Sequence, residues 1–299
     1  MTSASSSSES RRNKRRHAAS HQRSWLWGKH AVLETLLAGR WPVDELYLAD
    51  ELPDSVLREV ESLIQGTELR PTLTAASRLS VLCGAEDHQG FLARMSDFPC
   101  GDAAGWQNCV HDCLANFGEH PSAADEAGQH AEPGLLTDAR RPPLFVICDR
   151  IQDSHNFGAI LRCCDGVGAD AVLIESREQA SVTPHVARAS AGAANYLEIF
   201  RVDSLVESVD VLTAAGVSLA AASEKSDDVV WHQSLNRPVA VVIGSDGGGI
   251  RPELLQRCNL QLQIPMFGQV SSLNAAVAAG ILLYEIRRQQ MSAHKKTAR

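Results

Sequence analysis

The chain has 299 residues, which is long for one domain and comfortable for two. With 44% hydrophobic and 21% charged residues it can bury ordinary cores. No apolar run approaches the roughly 18 residues that a membrane-spanning helix needs. These properties exclude an integral membrane protein and favour a soluble protein of two domains.

Residues 1–24 are predicted to form a disordered basic arm. Residues 1–30 carry seven Lys or Arg and one Glu, although the net charge of the chain is −8. Such asymmetry is typical of an arm that binds phosphate, and a solvated tail is the alternative. The arm lacks the apolar stretch of a secretory signal and the amphipathic face of a mitochondrial presequence, so we expect a cytoplasmic location. The eight cysteines are then expected to be reduced thiols.

Residues 25–96 alternate between helical and strand patterns, which predicts a small α/β domain. Apolar spacing predicts helices at 26–39, 56–66 and 76–84 and strands at 44–50, 68–74 and 90–96.

Residues 97–141 break this pattern. Residues 97–139 hold eight acidic side chains and no Lys or Arg, which predicts a flexible acidic linker, with a short helix near Trp106 to Phe117. Cys109, His111 and Cys113 do not follow the common spacings of zinc ligands, so no metal site is predicted.

Residues 142–290 show the pattern of a parallel α/β domain, and 291–299 form a basic tail that we expect to be frayed. Near-continuous apolar runs predict strands buried on both faces at 144–148, 171–174, 217–222, 239–243 and 260–264. A final helix rich in small residues is predicted at 271–290, where Ala and Gly allow close backbone approach, either in a tightly packed interior or against a partner.

Three stretches at strand ends contain residues suited to a ligand site, because ligands gather at the carboxyl ends of parallel strands. They are N-F-G-x-x-x-R at 156–162, G-S-D-G-G-G at 244–249, and I-P-M followed by V-S-S-L-N at 264–274. Glycines after a strand let the backbone approach a ligand, while Ser and Asn at a helix start are ordinary caps. The second stretch is not G-x-G-x-x-G and follows a late strand, which argues against a dinucleotide site.

Together, these motifs resemble those of the SpoU/TrmH family of RNA ribose 2'-O-methyltransferases within the SPOUT superfamily. Upstream, W-G-K-H-A-V-L-E-T-L-L and H-Q-G-F-x-A-R resemble the small ribosomal-protein-like RNA-binding domain of the branch that modifies a guanosine of 23S ribosomal RNA. The resemblance implies S-adenosylmethionine as cofactor, RNA as substrate, a deep trefoil knot in the parallel sheet domain and a homodimer. Methyl transfer from a sulfonium to oxygen depends on positioning and charge stabilisation, so no metal is expected, and the absence of long apolar runs argues against a membrane partner.

By the same resemblance, the backbone at Gly244, Ile264 and Leu273 holds the cofactor. The implied catalytic residues are Asn156, Arg162, Asp246, Ser272 and Asn274. Since a guanidinium does not deprotonate in proteins, Arg162 is expected to stabilise the developing alkoxide as a cation.

One residue departs from the family pattern, because the family usually has Glu where this chain has Asp246. Three histidines are further candidates: His155 for an RNA contact, His88 for a structural or RNA-facing role, and His185 for a structural one. The same reaction on tRNA and a non-catalytic RNA-binding or ribosome assembly factor are the alternatives.

Overall fold

The computed structural model of the chain describes residues 24–118 and 141–297. The predicted basic arm, apart from Ser24, lies outside the described residues, as do 119–140 of the predicted linker and the last two residues of the tail. The described residues form two compact units, one from 24–99 with 181–196, the other from 100–118, 141–180 and 197–297. No described helix combines the length and the apolar character that crossing a bilayer requires.

The first unit contains a four-stranded sheet in the order β1-β4-β2-β3, with helices packed against it. Strand β4 is antiparallel to both neighbours, whereas β2 and β3 are parallel. The elements are β1 (Trp25–Trp27), α1 (Lys29–Ala38), β2 (Val43–Ala49), α2 (Asp54–Leu63), β3 (Pro71–Thr74), α3 (Ala76–Cys83) and β4 (Phe91–Met95). The predicted elements are confirmed except at the start, where a three-residue strand precedes α1.

The short segment 181–196 packs with the first unit, although the predicted domain boundaries placed it in the 142–290 domain. Its helix α6 (Pro184–Ala189) contributes Arg188, whose guanidinium lies 4.1 Å from the centre of the Trp27 ring and 2.6 Å from an Asp87 carboxylate oxygen. The Trp27 indole N–H donates to the same carboxylate at 2.8 Å. This indole hydrogen bond, together with Arg188, lowers the pKa of Asp87.

Buried His88 has a structural role in the first unit. Its Nδ1 accepts from the backbone N–H of Gly90 at 3.0 Å, and its Nε2 lies 3.0 Å from the Ser80 hydroxyl. With Nδ1 as an acceptor, the neutral ring donates from Nε2 to Ser80.

The second unit is built on a six-stranded, fully parallel sheet in the order β10-β8-β9-β5-β6-β7. The parallel α/β class predicted for the C-terminal half is therefore confirmed. Its elements are α4 (Ala103–Gly118), β5 (Leu144–Asp149), α5 (Ser154–Gly166), β6 (Ala171–Glu175), β7 (Ile199–Val202), α7 (Leu205–Ala214), β8 (Ser218–Ala222), β9 (Val239–Gly244), α8 (Pro252–Leu255), β10 (Leu260–Leu262) and α9 (Ala275–Thr297). Strand β7 was not predicted, and the implied trefoil knot stays a prediction.

Helix α4 corrects the prediction of a flexible linker over 97–141 for the part of that segment that the structure describes, 97–118. The short helix expected near Trp106 to Phe117 is present, but Trp106 is fully buried and packs edge-on against Phe145 and Phe200. Its indole N–H donates to the backbone carbonyl of Ser208 at 3.0 Å. The helix is therefore part of the core of the second unit.

The last helix differs from its prediction at both ends. It begins at Ala275 rather than at 271, and it continues to Thr297, through most of the tail that was expected to be frayed. Residues 271–274 form a loop instead, of which 271–273 line a cavity.

Candidate active site

The candidate site lies where strands β5 and β9 run side by side. From β5 the chain adds β6 and β7 on one side, and β9, β8 and β10 occupy the other. Such a switch point opens a crevice at the carboxyl ends of the strands, where ligands bind in open parallel sheets. The loops after β5 and β9 meet there, joined by the loop before α9.

Three polar side chains from these loops form a hydrogen-bonded cluster. The amide nitrogen of Asn156 donates to a carboxylate oxygen of Asp246. The amide nitrogen of Asn274 donates to the Asn156 carbonyl oxygen at 2.9 Å and lies 3.4 Å from Asp246. Asp246 also accepts from the backbone N–H of Ala275 at 2.6 Å. The cluster therefore fixes the orientation of both amides, and three of the predicted catalytic residues are in contact.

Helix caps place this cluster. Asp153 precedes α5 and accepts from the backbone N–H of Asn156 at 2.8 Å, while Asn274 accepts from the N–H of Ala276 at 3.0 Å at the start of α9. Both are ordinary N-caps, which satisfy backbone donors that a helix leaves free. Because the Asp246 carboxylate lies at the start of α9, the helix dipole also stabilises its charge.

A cavity of about 310 Å³ opens on one side of Asp246. The predicted cofactor residues Gly244, Ile264 and Leu273 all line it, and so does the predicted catalytic residue Ser272. The cavity also receives Glu224 and Lys225 from the loop after β8, which the sequence reasoning missed. Two charged residues within three positions of the end of an apolar parallel strand were the available signal.

A second cavity, of about 370 Å³, adjoins the first. Ser245, Asp246 and Gly247 line both cavities and so form the wall between them. The second cavity adds Asn156 and residues that the sequence reasoning missed, namely Arg150, Ile151, Gln152, Asp153 and Glu178.

An ion-pair network of one buried and two partly buried side chains lies at the ends of β5 and β6. Fully buried Asp149, the last residue of β5, accepts from the backbone N–H and the Nε of Arg251, both at 2.7 Å. Arg251 also donates to Glu175, the last residue of β6, at 2.7 Å. Burial alone would lower the pKa of Arg251, but the hydrogen bonds to Glu175 and Asp149 outweigh it and raise this pKa. The network ties the ends of β5 and β6 to the turn after β9.

Arg162 does not join the cluster within this chain. It lies on the exposed side of α5 and lines neither of the two cavities. In the described parts of the chain, the structure thus brings Asn156, Asp246 and Asn274 into contact. Ser272 lines the first cavity, and Arg162 lies on the surface.

Comparison with known proteins finds two family models that match this chain. Residues 143–284 match the model of the SpoU rRNA Methylase family, and 25–99 match that of the RNA 2'-O ribose methyltransferase substrate binding domain. The chain is 31% identical over 265 residues to the 23S rRNA (guanosine-2'-O-)-methyltransferase RlmB of Coxiella burnetii, covering 89% of this chain and 95% of that protein. It is 28% identical over 271 residues to the putative TrmH family tRNA/rRNA methyltransferase YacO of Bacillus subtilis, covering 91% and 98%.

Among solved structures, the fold is similar to that of the SpoU methyltransferase AviRb from Streptomyces viridochromogenes, crystallised with AdoMet. The TM-score is 0.66 at 24% identity, over 90% of each chain.

The matches to these two family models identify the class of protein. Together with a switch-point crevice that opens into two adjoining cavities, they define an RNA ribose methyltransferase that uses S-adenosylmethionine. The chain belongs to the SpoU/TrmH family.

Proposed function

We propose that this enzyme methylates the ribose 2'-hydroxyl of a guanosine in 23S ribosomal RNA, as a homodimer in the cytoplasm. The central observation is the hydrogen-bonded cluster of Asn156, Asp246 and Asn274, in which Asp246 lines both cavities and Asn156 lines the second. The relatives named 23S rRNA (guanosine-2'-O-)-methyltransferase support a guanosine of 23S rRNA as the substrate. The eight free thiols support a reducing compartment.

The first cavity suits S-adenosylmethionine. Ile243, Ile264 and Leu273 offer apolar walls for an adenine ring, and the Glu224 carboxylate can accept from ribose hydroxyls. The carboxylate of Asp246 at one end offsets the positive charge of a sulfonium. A volume of about 310 Å³ falls within the range of small-molecule sites.

Replacing Gly244 with alanine is expected to weaken S-adenosylmethionine binding by at least about tenfold, or roughly 1.4 kcal/mol. A Cβ at this position would lie 2.2 Å from the carbonyl carbon of Gly249 and 2.4 Å from the backbone nitrogen of Ile250, so the turn that shapes the cavity must move. Titration calorimetry measures the affinity. Gly268→Ala is the matched control, since no atom lies within 4 Å of its added Cβ. Equal affinity in both variants would contradict this role for the turn.

The polar cluster positions the reacting hydroxyl. Asp246 already accepts hydrogen bonds from Asn156, Asn274 and Ala275, so we assign it the role of holding the two amides. Amides held in this way can orient a ribose hydroxyl between the two cavities without rearranging during the reaction.

Arg162 supplies the positive charge in this proposal. S-adenosylmethionine supplies an electrophilic methyl group, whose bond to sulfur breaks as a bond to O2' forms, with sulfur keeping the electron pair. The guanidinium stabilises the negative charge developing on O2', and the hydroxyl proton passes to an adjacent phosphate or to water.

A second copy of the chain would bring Arg162 to a site. On α9, Val277, Tyr284 and Met291 are 51%, 56% and 41% exposed and lie seven residues apart, along one face. A Cβ on Gly166 would lie 2.9 Å from the Tyr284 hydroxyl, so this face adjoins α5. Arg162 is one turn before Gly166 on α5 and shares its face. A dimer through this surface would place Arg162 beside the partner subunit.

Replacing Tyr284 with glutamate is expected to weaken the homodimer by about a hundredfold, because a charge would be buried at the centre of the interface. Light scattering coupled to size-exclusion chromatography measures the mass across a concentration series. Val81→Glu, at an exposed apolar residue of α3, is the matched control. A wild-type monomer, or an unchanged dimer after Tyr284→Glu, would contradict this interface.

The substrate is tested by mapping ribose methylation in ribosomal and transfer RNA from cells with and without the protein. We expect loss of one 2'-O-methylguanosine in 23S rRNA, restored by the wild-type gene. Loss of a tRNA methylation would assign the tRNA reaction instead. No lost methylation, together with no binding of S-adenosylmethionine in calorimetry, would indicate a non-catalytic RNA-binding factor.

A further inference from the structure

We propose that the second cavity holds the base of the nucleotide being methylated and selects guanine, with Glu178 and Arg150 as the specificity-determining residues. This inference rests on the proposed function, because it assigns the base that accompanies the methylated ribose. It requires that the base lie on the far side of Asp246 from the cofactor cavity.

The two cavities have the geometry that such a division needs. Ser245, Asp246 and Gly247 line both of them, so the two cavities adjoin there, and Asn156 lines the second. A methyl donor in the first cavity and a base in the second would put the connecting ribose beside Asp246 and Asn156. Asn156, one of the two amides assigned to orient the 2'-hydroxyl, lines the second cavity, and Asn274 is hydrogen-bonded to it.

Backbone strain is concentrated at the second cavity. Four non-glycine residues of the described chain have positive φ, and two of them, Arg150 at 59° and Glu178 at 55°, line this cavity. The left-handed region is unfavourable for long side chains and persists where the surroundings hold it, often at ligand sites. Two such residues on one cavity point to a functional constraint on where these side chains lie.

The loop that carries Glu178 is clamped beside Arg150. The backbone N–H of Ile151 donates to the Gln179 side-chain oxygen at 2.8 Å, and the N–H of Ala180 donates to the Ile151 carbonyl at 2.8 Å. Arg150 is itself fixed by donation to the Gly249 carbonyl at 3.3 Å and by Asp149, 3.4 Å from its Nε. The Arg150 side chain and the backbone on either side of Glu178 are thus held in place before a ligand arrives.

The polar groups of the cavity match guanine. A carboxylate can accept from the N1–H and the N2 amino group of guanine together, whereas no other base offers two adjacent donors on that edge. A guanidinium donates to O6 and N7, the commonest specific contact to guanine. The carboxylates of Asp153, Glu178 and Asp246 around a single Arg150 repel a phosphate, which favours a base as the occupant.

The test compares guanosine with inosine, which lacks the N2 amino group, at the mapped methylation site of a synthetic RNA. With wild-type enzyme, we expect inosine to lower kcat/KM by about ten- to a hundredfold. Glu178→Gln should lower kcat/KM on guanosine by a similar factor. On inosine it should cause little further loss, because the missing amino group and the substitution remove the same contact. Glu207→Gln, at an exposed carboxylate on α7 that lines neither cavity, should leave both substrates unchanged.

Glu178→Gly tests whether the loss of activity comes from the missing carboxylate rather than from a loss of stability. Glycine accepts positive φ, so thermal stability should be equal or higher while kcat/KM on guanosine falls as in Glu178→Gln. Equal losses on guanosine and inosine with Glu178→Gln, or a wild-type enzyme that methylates another base, would overturn the guanine assignment and leave the ribose methyltransferase intact. A wild-type enzyme that methylates no RNA would overturn both.

Discussion

Replacing Arg162 with alanine is expected to lower kcat by about 10³-fold, the loss that follows removal of one group that stabilises a developing oxyanion. S-adenosylmethionine affinity should not change, since Arg162 lines neither cavity. Folding should not change either, because the residue is exposed. Single-turnover methylation, calorimetry and thermal unfolding measure the three quantities.

Two further variants sharpen this expectation. Arg162→Lys keeps the charge but loses the planar pair of donors, so most of the activity should remain lost. Arg237→Ala, at another exposed arginine of the second unit, should be as active as the wild type. Nearly full turnover with Arg162→Lys would contradict a bidentate role.

Mixed dimers test whether Arg162 acts across the interface. When an Arg162→Ala chain and an Asp246→Ala chain are mixed randomly, one site in each heterodimer would combine an intact Asp246 with an intact Arg162 from the other chain. About a quarter of all sites would then be active in a two-fold dimer, although each variant alone is inactive. Activity no higher than that of either single variant would contradict action in trans.

Replacing Asp246 with alanine is expected to lower kcat by about 10²- to 10³-fold, because Asn156 and Asn274 lose the carboxylate that orients them. Loss of its bond to the Ala275 N–H should cost roughly 1 kcal/mol of stability, as for an N-cap. Asp246→Asn keeps one acceptor oxygen and should fall between wild type and alanine.

The matched control is Asp203→Ala, which removes an exposed carboxylate after β7 that lines neither cavity. Pre-steady-state methylation rates at saturating cofactor compare the three variants with the wild type. A rate for Asp246→Ala within a few-fold of that for Asp203→Ala would mean that the amides are oriented by other groups.

The sequence predicted the parallel sheet because strands buried on both faces leave near-continuous apolar runs. It did not predict that α4 packs into the core, because α4 lies within 97–139, a stretch that is acidic overall. Trp106, Cys109, Val110, Cys113 and Leu114 nevertheless follow helical spacing, and all pack into the core of the second unit. In this helix, the periodicity of a few apolar residues was a better guide than average composition.

The polar cluster was predicted through the family resemblance, which its residues carry in short motifs. Asn156, Asp246 and Asn274 each follow or precede a recognisable turn, and the fold brings them into contact. The second cavity was not predictable in the same way. Arg150 and Glu178 follow two different strands, and their shared feature is a backbone conformation that the sequence does not reveal.

A crystal structure of the full-length protein with S-adenosylmethionine tests the central claim most directly. We expect the cofactor in the cavity lined by Gly244, Ile264 and Leu273, with its methyl group directed at the wall formed by Asn156 and Asp246. We also expect the partner subunit to bring an arginine to that wall. A cofactor bound outside this cavity, or a methyl group directed away from the Asn156–Asp246 wall, would contradict the account.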